Sequence, residues 1–290
     1  MKDLHEVAGI SKQAFYKARI ARSRTDLKAH ELLEQADKIR KKHPGAGCRK
    51  MANDLVCSGW GRDKIEGLLL DNGYRVYYPR RFARTTDHRK AFYYSNCIEG
   101  LELNNINQVI QTDITYYRVK EKFFYIVFII DVYSRRIVGH SVSKWMHAEA
   151  NIKALNRMLA LRKNIELKGL IHHSDRGSQY VDNEYRKILF DHDIIPSMCK
   201  NAWENAYSER INRTIKEEYL DRWLINDYAT LSRKVNEAVH HYNHKRCHAS
   251  IQMQSPVDFE KGVENMLSDQ RRKITIYKHL GGCPQSDCEY

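Results

Sequence analysis

The stretch QVIQTDITYYRVKEKFFYIVFIIDVYSRRIVGHSV, residues 108–142, decides the fold. It contains three runs rich in β-branched and aromatic residues, which is typical of strands: 108–117, 122–132 and 136–142. The middle run is apolar almost throughout, as expected for a strand buried on both faces of its sheet. We therefore predict that a β-sheet begins here.

The residues after this stretch alternate between helical and strand patterns. The predicted elements are a helix over 148–161, a strand over 168–172, a helix over 183–192, a strand over 194–198 and a long helix from about 204. The order β-β-β-α-β-α-β-α predicts an α/β fold, a mixed sheet flanked by helices. In open sheets of this kind, functional residues collect at strand ends and on the adjacent helices.

Length and composition limit the class of protein. The chain of 290 residues is long enough for one large catalytic domain and a small accessory domain. No apolar run approaches the roughly 20 residues that span a bilayer, and the N-terminus lacks the apolar core of a signal peptide. The 7 cysteines are scattered and odd in number. We expect reduced thiols and a cytoplasmic protein.

The charge points to a polyanionic partner. The net charge is +13 and the pI is near 9.3. Residues 1–100 hold 21 Lys/Arg and 12 Asp/Glu, so they carry +9 of the total. Nucleic acid is the simplest partner, although many soluble proteins are basic and charge alone leaves the question open.

The basic N-terminal third reads as helical. In AGISKQAFYKAR, residues 8–19, a turn at Gly9 and a helix capped by Ser11 predict a helix-turn-helix, with Lys12 and Lys17 along its second helix. A separate polar helix is predicted from Asp26 to about residue 42.

A second helical pair is predicted over residues 48–73, followed by the segment YRVYYPRRFAR. Its cations Arg75, Arg80 and Arg81 alternate with aromatic residues, a pattern suited to a nucleic-acid backbone. The alternative is a surface linker with a few packed tyrosines.

Acidic residues mark a candidate site in the sheet. Asp113 lies in the first strand, Asp175 follows the fourth, and the last helix offers Glu204, Glu209 and two further glutamates. Three carboxylates that converge need a compensating charge, and Mg²⁺ suits carboxylate and phosphate oxygens. By spacing alone, helix caps and solvated charges remain alternatives.

Five segments, in order, carry a family resemblance: QTDITYY, IIDVYSRRIVGHSVS, HHSDRGSQY, ENAYSERINRTIKEEY and YNHKRCHASIQMQSPVDF. They resemble the catalytic core of insertion-sequence transposases, more closely the second-reading-frame product of the IS-three family, with its retroviral-integrase-like core. The resemblance implies a ribonuclease H-like fold. It also implies a catalytic Asp-Asp-Glu triad, which matches Asp113, Asp175 and Glu209, and two bound Mg²⁺ ions for which Mn²⁺ can substitute.

Two features depart from the family pattern. Glu204 stands where the family has aspartate, and 33 residues separate Asp175 from Glu209, whereas the family more often has 35. Glu204 is therefore the fallback for the third acid. Arg213 and Lys216, at +4 and +7 from Glu209, lie on one helical face and are candidates to hold a DNA end. Intrahelical pairing is the alternative for these two cations.

The implied function is a DNA transposase that cleaves the element's ends and joins the freed 3′-hydroxyls to target DNA. The implied partners are terminal inverted repeats, target DNA and a second copy of the chain on paired ends, with fusion to an upstream-frame protein as a further expectation. The location is the bacterial cytosol, with the nucleoid. The alternatives are a same-fold nuclease and an inactive DNA-binding protein derived from a transposase.

Two other candidates are set aside. A zinc site at His240, His244 and His248 lacks a paired cysteine set and is flanked by cations. Asp131 is interpreted as a turn acid. The predicted organisation is a helix-turn-helix-like segment over 1–44, a second helical DNA-binding region over 45–84, a linker over 85–104, a catalytic core over 105–265 and a tail over 266–290.

Overall fold

The computed structural model describes residue 9 and residues 11–55, 59–77 and 93–277. The chain divides into two compact units, residues 1–80 and 81–290. The predicted DNA contacts Arg80 and Arg81, the helix before Gly9 and residues 85–92 of the predicted linker lie outside the described residues. Within the described part of the chain, no helix is long and apolar enough to cross a membrane.

The N-terminal unit is helical. Its helices are α1 (Lys12–Lys42), α2 (Cys48–Leu55) and α3 (Arg62–Asp71). The hydroxyl of Ser11 caps α1 by accepting a hydrogen bond from the amide of Ala14 at 3.2 Å, as predicted. The separate helix predicted from Asp26 is wrong, because α1 runs unbroken for 31 residues. No glycine or proline interrupts this stretch, so nothing in it stops the helix.

One apolar cluster holds the three helices together. Leu32 and Ala36 of α1 pack with Met51 of α2 and with Ile65 and Leu69 of α3. The predicted boundary between residues 44 and 45 therefore does not separate two packed units.

The C-terminal unit contains the sheet. Its elements are β1 (Glu102–Leu103), β2 (Val109–Val119), β3 (Lys122–Asp131), β4 (Ile137–Ser143), α4 (Ala148–Leu161), β5 (Ile171–Ser174), α5 (Asn183–Asp191), β6 (Ile195–Met198), α6 (Ala206–Glu218), α7 (Tyr228–His244), α8 (Pro256–Glu264) and β7 (Ile274–Thr275). The five-stranded sheet has the order β4-β3-β2-β5-β6. Strands β2, β3 and β4 are antiparallel, whereas β5 and β6 run parallel to β2. This arrangement confirms the ribonuclease H-like fold.

Helices cover both faces of this sheet. Alternate side chains of β3 point to opposite sides: Val127 and Ile129 pack in the cluster with α4 and α5, and Phe128 and Ile130 pack in the cluster with α6 and α7. The apolar run in β3 is therefore buried on both faces, as predicted.

The core extends beyond its predicted bounds of 105 and 265. Strand β1 pairs antiparallel with β7, at the far end of the described chain. Ile98, Leu103 and Ile276 are fully buried in one cluster. Part of the predicted linker and part of the predicted tail thus belong to the core, because their apolar side chains pack in the same hydrophobic cluster.

Gly139 in β4 offers a test of the packing between the sheet and α4. A Cβ at this position would lie 2.3 Å from the carbonyl oxygen of Ala154 and 3.2 Å from Cβ of Met158. We expect Gly139→Ala to lower the free energy of unfolding by about 2–3 kcal/mol, measured by urea denaturation, because the core is overpacked. The matched control is Gly262→Ala in α8, where a Cβ meets no heavy atom within 4 Å. This control should be neutral or stabilising by up to about 1 kcal/mol. Equal effects of both changes would contradict the packing.

Candidate active site

Asp113 lies in the middle of β2, opposite Phe128 of β3, and its side chain is half-buried. One carboxylate oxygen accepts a hydrogen bond from the amide of Ile114 at 2.9 Å. The other accepts from the Nδ2 amide of Asn212 on α6 at 2.7 Å. The carboxylate is therefore held between the strand and the helix.

Asp175 directly follows β5, which lies beside β2 in parallel register with Gln111 opposite His173. Its Oδ1 accepts a hydrogen bond from the amide of Gly177 at 3.1 Å. A Cβ at Gly177 would lie 3.0 Å from this oxygen and 2.8 Å from the side-chain oxygen of Gln179. The loop can close on the carboxylate because residue 177 is glycine.

Gln111 fixes the start of α6 against β2. Its Nε2 donates to the carbonyl of Glu204 at 3.1 Å, and its Oε1 accepts from the amides of Tyr207 at 3.1 Å and Ser208 at 3.4 Å. Asn205 adds a bond from its Nδ2 to the carbonyl of Thr112 at 3.0 Å. The polar residues of β2 thus bind the start of α6, where the first amides have no partners within the helix.

Glu209 lies in the first turn of α6, and its side chain is exposed. Partial burial raises the pKa of Glu209, and the charge of Arg213 opposes this rise. Asn212, the partner of Asp113, lies one turn further along the same helix.

The three acids share one electrostatic environment. Burial raises the pKa of Asp113 to about 8, and the charges of Asp175 and Glu209 add to the rise. The amide of Ile114 and the charge of Lys216 lower this pKa in part. Burial also raises the pKa of Asp175. Burial is thus the largest cause of both shifts, and repulsion from the other two carboxylates adds to the shift of Asp113.

The donor set fits a hard divalent cation. Carboxylate oxygens are the ligands that Mg²⁺ prefers, and a nearby cation would favour the ionised form of acids whose pKa is raised. Across the described ranges, however, no three His, Cys, Asp or Glu side chains already form a metal-binding group. The acids are brought to one region without closing on a common point.

Glu204, the fallback third acid, is engaged elsewhere. It is 5% exposed, and its carboxylate accepts hydrogen bonds from Asn96 Nδ2 at 2.9 Å, the Lys200 amide at 2.8 Å and Asn201 Nδ2 at 2.9 Å. Glu209 is the helix acid whose charge raises the pKa of Asp113.

Comparison with known proteins identifies the family of this chain. The integrase core domain family matches residues 104–202 and 193–256. Transposase InsF for insertion sequence IS3A of Escherichia coli (strain K12) is 32% identical over 74% of this chain and 76% of its own. The insertion element IS600 31 kDa protein of Shigella sonnei is 31% identical over 77% of this chain and 84% of its own. The chain belongs to the insertion-sequence transposases.

Among solved structures, the HTLV-2 integrase catalytic core domain in complex with magnesium is similar at 18% identity and a TM-score of 0.45, covering 57% of this chain and 99% of that one. The family makes this transposase a polynucleotidyl transferase with an integrase-like core.

The predicted cations of the transposase fall in different places. Lys216 lies beside the acids: its charge lowers the pKa of Asp113, and its Nζ is 5.2 Å from the ring centroid of Tyr116. Arg213 is exposed on α6 near Glu209. Lys12, Lys17 and Arg75 are exposed on the N-terminal unit.

Other candidates serve local structure. Asp131 is fully buried and accepts from the amides of Asn107 at 2.7 Å and Ser134 at 2.8 Å, as a turn acid does. His240 stacks on His244, with ring centroids 4.6 Å apart.

The two histidines before Asp175 are also structural. His172 bonds to the hydroxyl of Tyr185 at 2.7 Å, and His173 to that of Ser197 at 2.9 Å. Burial lowers the pKa of His172 to about 3 and that of His173 to about 4, so both rings pack as neutral groups.

Sequence reasoning missed Gln111 and Asn212 as parts of the site. Asn212 is 6% exposed, and it lies on the buried face of α6 between Ile211 and Ile215. The signal for Asn212 was its amide side chain three residues after Glu209, on the helical face that also bears Ile211 and Ile215.

The raised pKa of Asp113 predicts how metal-free stability depends on pH. Between the ordinary aspartate value and about 8, the folded state binds more protons here than the unfolded state, so stability falls as pH rises through this window. We expect Asp113→Asn to raise the melting temperature of the core at pH 8 by at least about 3 °C, and by less at pH 5.

Mg²⁺ should raise the melting temperature of the wild type at pH 8 and have little effect on Asp113→Asn. Calorimetry with and without the ion measures both effects. An equal gain for Asp113→Asn at the two pH values would contradict the assigned environment of this carboxylate.

Proposed function

We propose that this transposase cleaves phosphodiester bonds at the ends of an insertion sequence and joins the freed 3′-hydroxyls to target DNA, with Asp113, Asp175 and Glu209 as its catalytic residues. The main support for this proposal is the pKa of Asp113. Burial raises it to about 8, and the negative charges of Asp175 and Glu209 add to the rise. The bond from Asn212 to Asp113 supports the same assignment, because it ties the strand acid to the helix that bears Glu209.

The three carboxylates would hold two Mg²⁺ ions, for which Mn²⁺ would substitute. When bound, such ions activate a water or 3′-hydroxyl and stabilise the leaving oxygen of a phosphodiester. Asn212 and the amide of Gly177 orient the two aspartates. Lys216 supplies positive charge beside them, suited to a DNA phosphate. The attacking group comes from water or DNA, so the reaction proceeds without a covalent enzyme–DNA intermediate.

DNA recognition is assigned to the N-terminal unit. Residues 1–80, which form this unit, hold 17 Lys/Arg against 10 Asp/Glu and so carry +7 of the +13 net charge. Lys12, Lys17 and Arg75 are exposed there, and with Arg80 and Arg81 they would contact the terminal inverted repeats. Arg213 and Lys216 would hold the DNA end at the acids. Two copies would act on paired ends in the bacterial cytosol, with fusion to an upstream-frame protein as a further element of the proposal.

The triad is tested by cleavage and strand transfer on DNA that carries the element's ends, with Mg²⁺ or Mn²⁺. We expect Asp113→Asn, Asp175→Asn and Glu209→Gln each to lower the joining rate by at least about 10³-fold, because each would remove a ligand of the metal ions that stabilise the charge developing on the phosphate. The matched control is Glu217→Gln on the same helix, which should keep the wild-type rate. Joining by Glu209→Gln at the wild-type rate would rule out Glu209 as the third catalytic acid.

The same assay separates the alternatives. A same-fold nuclease would cut the ends without joining pre-cut ends to a target. An inactive DNA-binding protein would bind the ends as well with Asp113→Asn as without, and would show no metal-dependent cleavage in either form.

The DNA contacts are tested by titrating salt. We expect Lys12→Ala and Lys17→Ala to weaken binding about uniformly across sequences, and to reduce the slope of log K against log salt by about 1 each, because each removes a phosphate contact. Lys187→Ala on α5, an exposed lysine of the core, is the control and should leave the slope unchanged. Unchanged slopes for both N-terminal variants would remove these two residues from the interface.

A further inference from the structure

The loop that precedes the catalytic helix is tied to a segment far away in sequence. Glu204, in the short 3₁₀ turn Ala202–Asn205, accepts hydrogen bonds from Lys200 and Asn201 within its own loop. It also accepts from Nδ2 of Asn96 at 2.9 Å, a bond between residues 108 apart in sequence. A buried carboxylate is costly unless several donors satisfy it, so Glu204 is fixed where these donors meet.

Asn96 is itself fixed by its surroundings. Its Nδ2 also donates to the hydroxyl of Tyr277 at 2.7 Å, and its Oδ1 accepts from the amide of Ile98 at 3.0 Å. The ring of Tyr277 packs edge-on against Trp203, with centroids 4.9 Å apart. Two residues therefore hold the loop in place: Asn96, which precedes β1, and Tyr277, which follows β7.

The position of Glu204 is passed on to the catalytic helix. Its carbonyl accepts from Nε2 of Gln111, and Oε1 of the same glutamine accepts from the Tyr207 and Ser208 amides at the start of α6. Glu209 directly follows Ser208, in the first turn of the same helix. A shift of Glu204 thus moves the helix end that carries the third acid.

We propose that Glu204 is a positioning residue of the transposase and that Asn96 sets its position, so that residues before the sheet complete the active site. This inference rests on the proposed role of Glu209. Glu204 acts by placing the start of α6 relative to Asp113, and it does not ligate the metal itself.

Asn96→Asp provides the test, because it sets a second carboxylate against Glu204 in place of a donor. In the full-length protein with pre-cut ends, we expect the single-turnover joining rate to fall at least about 30-fold, while the affinity for end DNA stays within about threefold. The Mg²⁺ concentration for half-maximal rate should rise, which a merely structural defect would not cause at unchanged DNA affinity and melting temperature. The control Ser95→Asp adds the same charge at an exposed neighbouring position and should keep the wild-type rate.

Rescue sharpens the test. Adding Glu204→Gln to Asn96→Asp removes the repulsion between two carboxylates and restores a donor opposite an acceptor, although the Lys200 amide then loses its acceptor. We therefore expect a partial recovery of the rate, by at least about threefold, and a return of the Mg²⁺ requirement toward wild type. If Asn96→Asp does not fold, Asn96→Ala removes the donor without adding charge and should show the same changes, smaller in size.

The outcomes separate two failures. Wild-type rate and Mg²⁺ requirement in Asn96→Asp, or equal losses in Ser95→Asp, would overturn the role of Asn96, while an inactive Glu209→Gln would leave the proposed function standing. Full joining by Glu209→Gln would overturn both.

Discussion

The buried amide of Gln111 is the contact on which the site depends. A helix begins with amides that have no partners within the helix, and α6 has no side-chain cap of its own. Gln111 supplies the missing acceptor from β2 and donates its own hydrogens to the carbonyl of Glu204. The amide side chain can do this because it carries a donor and an acceptor side by side. Each buried group left unsatisfied would cost about 1–3 kcal/mol, so strand and helix are locked together two residues before Asp113.

A second buried polar group stabilises the turn between β3 and β4. Glu260 of α8 pairs with Arg136 and Arg162, and it accepts a hydrogen bond from the hydroxyl of Ser134 at 2.8 Å. Burial alone would raise the pKa of Glu260, but the bonds and charges of the two arginines lower it. Buried ion pairs add little net stability, whereas removal of one partner costs about 3–5 kcal/mol. In this protein the bonds between Glu260 and the side chains of Ser134 and Arg136 fix the turn that leads out of β3.

Sequence patterns predicted the central elements well and the edges poorly. Strand β3 and helix α4 are long and strongly patterned, so their predicted positions match the structure within a residue. Strands β1 and β7 are two residues each, below the length at which alternation can be read. The stretch predicted as separate helices from Ser11 and Asp26 forms one helix because propensity alone does not mark an end.

The site shows the same division between local pattern and tertiary contact. Spacing alone suggested acids at strand ends, and the choice of three among them came from the family resemblance. No pattern in the sequence predicted that Glu204 would accept a hydrogen bond from Asn96. The two residues are distant in sequence, and only the fold brings them together. A comparison of Asp113 with Asp131 explains why acids are hard to sort by charge environment. Burial raises the pKa of both, yet Asp131 is fully buried on two backbone amides and no ion from solvent reaches it. Asp113 is only half-buried, and the charges of Asp175 and Glu209 add to the effect of burial on its pKa. A perturbed pKa therefore indicates function only where the group is also accessible.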